Sequence, residues 1–320
     1  MFKILDNKYK LYKLRKLGMG AFSTVYKGEN IKTKEIVAIK EINISSKENN
    51  KKNKFLHEIN IMNLIKSKPH PNIINCYDII RDTHIYIIME YCTSGTLDSI
   101  IGKPIKEEFV QYYFNQLNNG LKYLRDNDIT HRDIKPSNIL LTNNFKLLKI
   151  ADFGLSKENI YDTYINIYCG SPLYMAPELI GKQEFIKQSD LWSIGLILYE
   201  MIYGIHPFKK CNDLKDLIET MKEINITIPP KKNTNKHVSD ICMTLMDKLL
   251  KKNQNNRISW NDFYNHPWLN VFQDEFNDKI NNYMKNTIKY EYNSDNSNEN
   301  ESENNNLLIQ SKDIFDIDDI

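Results

Sequence analysis

The chain has 320 residues, enough for one or two ordinary domains. Hydrophobic residues make up 41% and charged residues 26%, the balance of a soluble globular protein. The formal net charge of +2 supplies no large field, so neither nucleic acid nor a membrane surface is expected as the main partner. The cysteines, Cys76, Cys92, Cys169, Cys211 and Cys242, are scattered, with no C-x-x-C pair and no neighbouring histidine cluster. That argues against a metal site or disulfide framework and for a reducing compartment. Met1–Asp6 is not followed by an uninterrupted apolar run, so no signal peptide is expected. The most apolar stretch, Leu191–Ile205, is too short to span a bilayer comfortably and carries Glu200, with Asp190 just before it. It reads as a buried core helix. The expected location is cytoplasmic, with the nucleus as the alternative.

The first ninety or so residues read mostly as strands. Leu11–Leu17 alternates apolar and basic residues, and Phe22–Gly28 and Glu35–Glu41 follow with turn residues between them. Asn53–Ile65 has helical spacing through Phe55, Ile59 and Met62, and His84–Met89 suits a buried strand. From Lys106 onward helical periodicity dominates, with Phe109, Tyr113, Leu117, Leu121 and Leu124 on one face. A small sheet-rich lobe followed by a larger helical one is the coarse expectation. Past Leu269, Phe272, Phe276, Ile280 and Met284 recur at four-residue spacing, so 270–290 is expected to form one more amphipathic helix. From 291 to 320 the chain is rich in Asn, Ser and acidic residues, a composition that cannot bury enough apolar surface to order itself. That tail ends in Asp313-Ile314-Phe315-Asp316-Ile317-Asp318-Asp319-Ile320, either a solvated end or a short acidic docking motif for a regulatory partner.

Phosphoryl transfer needs a held triphosphate, neutralised charge and a hydroxyl placed in line, and the chain offers candidates for each in order. Gly18-Met19-Gly20-Ala21-Phe22-Ser23-Thr24-Val25 lies between two expected strands, and its small residues let backbone N–H groups approach phosphate oxygens. Ser23 stands where the usual pattern has a third glycine, which weakens the signal. Val37-Ala38-Ile39-Lys40 puts a lysine on an apolar strand, and a buried cation requires anionic partners. Glu58, on the following helix, can pair with it, although taken alone it reads as a solvated charge. His131-Arg132-Asp133-Ile134-Lys135-Pro136-Ser137-Asn138 is the strongest segment. There Asp133 can orient or deprotonate an attacking hydroxyl, Lys135 can reach the γ-phosphate, and Asn138 can hold a metal. Ala151-Asp152-Phe153-Gly154 follows the apolar run Leu147–Ile150, and Asp152 is a hard carboxylate suited to Mg²⁺. No G-x-x-x-x-G-K-[S/T] string is present, so a small-molecule kinase with a Walker motif is excluded.

The set G-x-G, V-A-I-K, H-R-D, D-F-G and Ala176-Pro177-Glu178, in that order, resembles the eukaryotic-type serine/threonine protein kinase superfamily. The resemblance covers residues 9–269, with a small lobe over about 9–91, a large one over about 92–269, and 1–8 as an N-terminal extension. It implies an α+β bilobal fold, a small β-rich N-lobe and a larger helical C-lobe. It also implies ATP and Mg²⁺, with Mn²⁺ as an alternative ion, and protein substrates bearing Ser or Thr. In the adenine pocket the resemblance places Leu17, Val25, Ala38 and Leu140 around the base, Met89 as gatekeeper, and the Glu90 and Cys92 backbone on the adenine edge. His131, Phe153 and Met62 are similar to the hydrophobic stack of the active state. Asp190 resembles the brace of the catalytic loop, and Arg257 the ion-pair partner of Glu178.

Lys135, Pro136 and Ser171 resemble serine/threonine rather than tyrosine kinases, and Leu155 is similar to kinases preferring serine. Thr96 and Ser137 stand where arginine-directed kinases carry acids, so no strong demand for upstream arginine is expected. Cys169–Glu178, Asp190–Gly195 and the hinge Met89-Glu90-Tyr91-Cys92 resemble the autophagy-initiating (Unc-like) kinases, and Asn265-His266-Pro267-Trp268 the calcium/calmodulin-kinase relatives. Where the Unc-like branch has a phosphorylatable threonine this chain has Ile167, leaving Thr163, Tyr164 and Tyr168 as nearby acceptors to balance Arg132. A catalytically weak scaffold is the alternative reading. Only Ser23 favours it, since Lys40, Asp133, Asn138 and Asp152 are all present.

Overall fold

The computed structural model describes residues 2–20, 23–43, 49–154, 172–180, 188–211, 213–223, 225–229 and 238–269. The candidate helix over 270–290, the tail from 291, Leu155 to Ser171, and loop residues Ala21 and Phe22 lie outside these.

Six strands make one antiparallel sheet: β1 (Phe2–Leu5), β2 (Tyr9–Met19), β3 (Ser23–Asn30), β4 (Ile36–Ile42), β5 (Cys76–Arg81) and β6 (Ile85–Glu90). Their order is β1-β2-β3-β4-β6-β5. Phe2–Leu5, in the stretch read as an N-terminal extension, pairs with Tyr9–Tyr12. The turn between them sets Asp6 and Asn7 at φ 46° and 51°, the left-handed pair that matches hairpin twist and that Asp and Asn tolerate best. Leu5 thereby joins Tyr9, Leu11, Tyr26, Val37, Ile39, Tyr86 and Ile88 in a separate small core. The alternation expected over Leu11–Leu17 does not hold. The β2–β3 register shifts between Leu11 and Lys16 and again before Gly18. Leu11 is buried, whereas Leu14, three positions on and so on the opposite face, is 81% exposed.

β4 is the central strand, paired to β3 and β6, and Val37, Ala38, Ile39 and Lys40 are buried in succession. Helix α1 (Asn49–Ser67) buries Phe55, Ile59, Met62 and Ile65, as its spacing required. Glu58 falls on that same apolar stripe and is 5% exposed. The helical part begins with α2 (Glu107–Asp126), which buries Phe109, Tyr113, Leu117, Leu121 and Leu124. A two-stranded sheet of β7 (Ile139–Thr142) and β8 (Leu147–Ile150) follows. Then come α3 (Pro177–Ile180), α4 (Ser189–Tyr203), α5 (Leu214–Glu223), α6 (Asp240–Leu249) and α7 (Trp260–Tyr264).

α4 is the helix read from the apolar run after Asp190, and it is buried nearly all round. Gly195 lets α6 approach it, because a Cβ there would lie 2.8 Å from Leu249 Cβ. Gly204 ends the helix at φ 69°, its N–H capping Glu200 O. Ser239 and Ser259 cap α6 and α7, each hydroxyl accepting a first-turn N–H. One core runs from α1 through β7–β8 to α4, α6 and Trp268, so both lobes share it. Among the described residues no helix is long and apolar enough to cross a membrane.

Candidate active site

The site forms where β4, α1, the loop after α2 and the segment after β8 converge. Lys40 Nζ lies 2.5 Å from Glu58 Oε1 and 2.8 Å from Asp152 Oδ1. Burial opposes the Lys40 charge, but the Glu58 and Asp152 carboxylates outweigh it and hold the ammonium above its ordinary range. Lys40 in turn pulls Asp152 down to about 2, against the opposing effect of burial. Glu58, which taken alone reads as a solvated helix charge, is thus one arm of an ion triad around the buried Lys40 ammonium, with the Asp152 side chain 49% exposed on its other side.

Asp133, Lys135 and Asn138 are hydrogen-bonded to one another. Lys135 Nζ donates to Asp133 Oδ2 at 2.8 Å, and Asn138 Nδ2 donates to the same oxygen at 2.9 Å and to Asp133 O at 2.8 Å. The Asn138 amide therefore presents its oxygen, the end able to ligate a cation. Asp133 N–H donates to His131 Nδ1 at 3.3 Å, which places the imidazole proton on Nε2, 3.0 Å from Ala151 O. Burial lowers the His131 pKa and keeps that ring neutral. Phe153 packs on it with ring centroids 5.3 Å apart, and Phe153 and Met62 are both buried.

Two residues here adopt left-handed backbone that only glycine takes freely. Arg132 has φ 70° and Asp152 φ 65°. Each is held by a buried partner. Arg132 N–H donates to both Asp190 oxygens, at 3.1 and 3.4 Å, and Lys40 grips the Asp152 carboxylate. Burial pushes the Asp190 carboxyl up to about 7, while the Arg132 N–H and charge pull the other way. Strain of this kind persists where surrounding structure overdetermines it, and it concentrates at functional sites.

Several of the residues expected around adenine fall on paired strands. Ala38 pairs with Met89 and Val25 with Lys40. Thr96 bridges to Leu140 on β7, and Ser94 N–H reaches Leu141 O, so the chain after β6 is stitched to β7. Val25, Met89, Glu90, Cys92 and Leu140 are half-buried, and Leu17 is 44% exposed at the edge. In the glycine loop Gly18 pairs with Val25 and Met19 with Thr24, and Gly20 N–H closes on Ser23 O at 2.8 Å. A Cβ on Gly18 would meet nothing within 4 Å, so that backbone is open to a ligand. The pattern fits a triphosphate: accessible backbone, a buried ammonium, and a hard carboxylate beside an amide. Among the described residues no three His, Cys, Asp or Glu side chains gather to hold an ion. Mg²⁺ does not need them, since it binds through one or two carboxylates, phosphate oxygens and water.

Glu178 and Arg257 form the expected ion pair, bidentate at 2.8 and 3.0 Å, with side chains 3% and 0% exposed. Sequence reasoning passed over Lys149. It sits inside the apolar run Leu147–Ile150 and is buried, and a lysine interrupting such a strand was the available signal.

A model of the protein kinase domain matches residues 11–269. Serine/threonine-protein kinase atg1 of Dictyostelium discoideum is 39% identical over 266 residues, which are 80% of this chain and 39% of that protein. Putative serine/threonine-protein kinase R517/R518 of Acanthamoeba polyphaga mimivirus is 39% identical over 301 residues, 83% of this chain and 64% of its own length. Serine/threonine-protein kinase ULK3 of Homo sapiens is 36% identical over 268 residues, 80% of this chain and 54% of its own. The chain thus spans between 39% and 64% of the length of these relatives. The atg1 and ULK3 similarities agree with the Unc-like wording of its motifs. With that model matched over residues 11–269, the chain belongs to the protein kinase family.

Proposed function

We propose that the chain is a catalytically active serine/threonine protein kinase that transfers the γ-phosphate of ATP to Ser or Thr hydroxyls of proteins. The observation that carries this reading is Lys40 Nζ held between Glu58 and Asp152 at 2.5 and 2.8 Å. A scaffold has no use for a desolvated ammonium flanked by two carboxylates, one of them on a strained backbone.

The residues then divide the work. Lys40, oriented by Glu58, neutralises the α- and β-phosphates. The glycine-loop backbone covers the triphosphate, and the Glu90 and Cys92 backbone takes the adenine edge. Asp152 and Asn138 would hold Mg²⁺, which when bound neutralises charge on the phosphate oxygens. Asp133 orients the substrate hydroxyl. Its hydrogen bonds from Lys135 and Asn138 fall on Oδ2, and Oδ1 would take the incoming hydroxyl. The hydroxyl oxygen bonds to the γ-phosphorus as the bond to the β-phosphate oxygen breaks. ADP leaves, and the hydroxyl proton passes to Asp133. Lys135 balances charge on the transferring group. With Thr96 and Ser137 neutral, there is no strong demand for an arginine upstream of the acceptor.

The test is transfer of labelled phosphate from Mg-ATP to a generic serine/threonine protein substrate, wild type against Asp133→Asn. Loss of a positioned carboxylate lowers the rate by about 10²–10⁴. Equal background signal in both proteins would overturn the catalytic reading in favour of a scaffold.

A further inference from the structure

Lys149 is buried and has no part in the chemistry above. It lies on β8, three residues before Asp152, and is 6% exposed. A buried ammonium needs an anionic partner, and Glu90 supplies it, with Oε1 2.7 Å from Nζ. Ile73 O lies 3.4 Å from the same nitrogen. The two side chains are 7% and 18% exposed, which removes the pair from the solvent-screened surface class.

Glu90 is the last residue of β6, where the chain leaves the sheet. Its Oε1 also accepts Asn75 N–H at 2.6 Å, and its own N–H donates to Asn75 O at 3.1 Å. The segment 72–75 is in turn bonded to β8. Ile74 N–H donates to Ile150 O and Ile150 N–H to Asn72 O, both at 2.9 Å, and Asn72 Nδ2 donates to Leu148 O at 3.0 Å. These bonds close a circuit from the start of the hinge, through 72–75, to the strand that delivers Asp152. Among the described residues Lys149 joins the start of the hinge to β8 through a single side-chain pair.

We propose that Lys149, through its ion pair with Glu90, is a positioning residue for the nucleotide, setting the hinge backbone in register with Asp152. The inference rests on the kinase reading, which gives adenine to the hinge and the metal-bound phosphates to Asp152. A nucleotide gripped at both ends binds well only when the two grips keep a set separation before it arrives. A pre-formed internal pair meets that ordering cost in advance of binding.

The experiment uses the intact chain and measures the KM for ATP, kcat, and the calorimetric Kd of a non-hydrolysable Mg–ATP analogue. Calorimetry needs no turnover, so an inactive wild type would sink the kinase reading while this one is still scored. Lys149→Met removes the charge and keeps the bulk. Lys149→Met with Glu90→Gln also removes the orphaned carboxylate, so it folds where the single variant fails to. In both, Kd and the KM for ATP rise on the order of tenfold, as the ordering cost returns to the binding step. For Lys149→Met, which leaves every residue assigned to the nucleotide in place, the kcat and the KM for the protein substrate stay within about twofold of wild type. Lys149→Arg, which keeps the donor, restores nucleotide affinity. Unchanged Kd and KM with only a lower melting temperature would reduce the pair to fold support and overturn the proposal. So would a raised kcat at constant KM, which would make the pair a restraint.

Discussion

Removing Arg257 should cost the fold several kilocalories, and the structure says why. Its guanidinium is fully buried and bidentate on Glu178, and it also donates to Gln188 O at 2.8 Å and Lys251 O at 3.1 Å. Arg257→Met strands the Glu178 carboxylate, 3% exposed, with Ser189 Oγ as the donor left to it. Taking one partner from a buried pair costs about 3–5 kcal/mol, because the other charge stays desolvated. Against a total stability of about 5–15 kcal/mol, that lowers the melting temperature on the order of 10 °C. Arg257→Lys recovers little, since one ammonium cannot reproduce the fork on Glu178 and the two carbonyl contacts together. Arg257→Met with Glu178→Leu recovers most of the loss, because no charge is then left buried. Urea unfolding followed by tryptophan fluorescence suits the question, since the guanidinium carbon lies 5.4 Å from the Trp192 ring centroid. Burial raises the Glu178 pKa, but Arg257 more than offsets this and holds it below the ordinary value. A depressed carboxyl stabilises the fold above its unfolded pKa and stops doing so as pH falls through it. In Arg257→Met the stranded carboxylate keeps only the upward push of burial, so the gap from wild type narrows as pH falls and that carboxylate takes up its proton. An Arg257→Met protein within about 1 kcal/mol of wild type, the loss of a single ordinary hydrogen bond, would refute the argument.

Two further predictions concern α4 and the turn beyond it. Burial depresses His206 from 6.5 to about 4, and its Nδ1 accepts Phe208 N–H at 3.1 Å. The unfolded chain then binds a proton between these values that the fold refuses, so stability present above pH 6.5 drains by up to about 3 kcal/mol as pH falls to 4. His206→Asn, whose amide oxygen can accept the same N–H, should show a flatter pH–stability curve by denaturant titration, and parallel curves would contradict the assignment. Gly204→Ala forces a left-handed φ of 69° on a residue whose Cβ would lie 2.4 Å from Pro104 N. It should lower stability by at least ~1–3 kcal/mol, and a thermal melt unchanged from wild type would rule this out.

The parts of the site that sequence revealed are those where chemistry restricts residue type. Lys40, Asp133, Asn138 and Asp152 are readable because few side chains can neutralise phosphate, orient a hydroxyl or ligate Mg²⁺. The helices were readable where one apolar face meets one core, as in α2 with its buried Phe109, Tyr113 and Leu117. β2 was less readable, because its alternation is broken by irregular pairing with β3, which no single-strand pattern records. β1 was missed because four residues give too short a pattern, and its role depends on Leu5 meeting Tyr86 and Ile88 from distant strands. Glu58 and Lys149 are the same lesson from opposite sides. Each is a charge whose burial follows from a partner far along the chain, Lys40 in one case and Glu90 in the other.

The backbone at the centre of the site carries this further. Arg132 and Asp152, at φ 70° and 65°, occupy positions where backbone preference alone would select glycine. A glycine at 152 would forfeit the carboxylate that binds Lys40, and with it the candidate metal ligand. The side-chain chemistry therefore overrides the conformational preference, and the cost is met by contacts from elsewhere: Asp190 on α4 for Arg132, Lys40 on β4 for Asp152. Those two supports come from different lobes, and both are buried. Disturbing the seating of α4 should thus reach the site through Arg132, whereas disturbing β4 or α1 should reach it through Asp152. Two structurally separate routes to one loss of geometry are what a site assembled between lobes entails, and neither can be read from the residues that perform the chemistry.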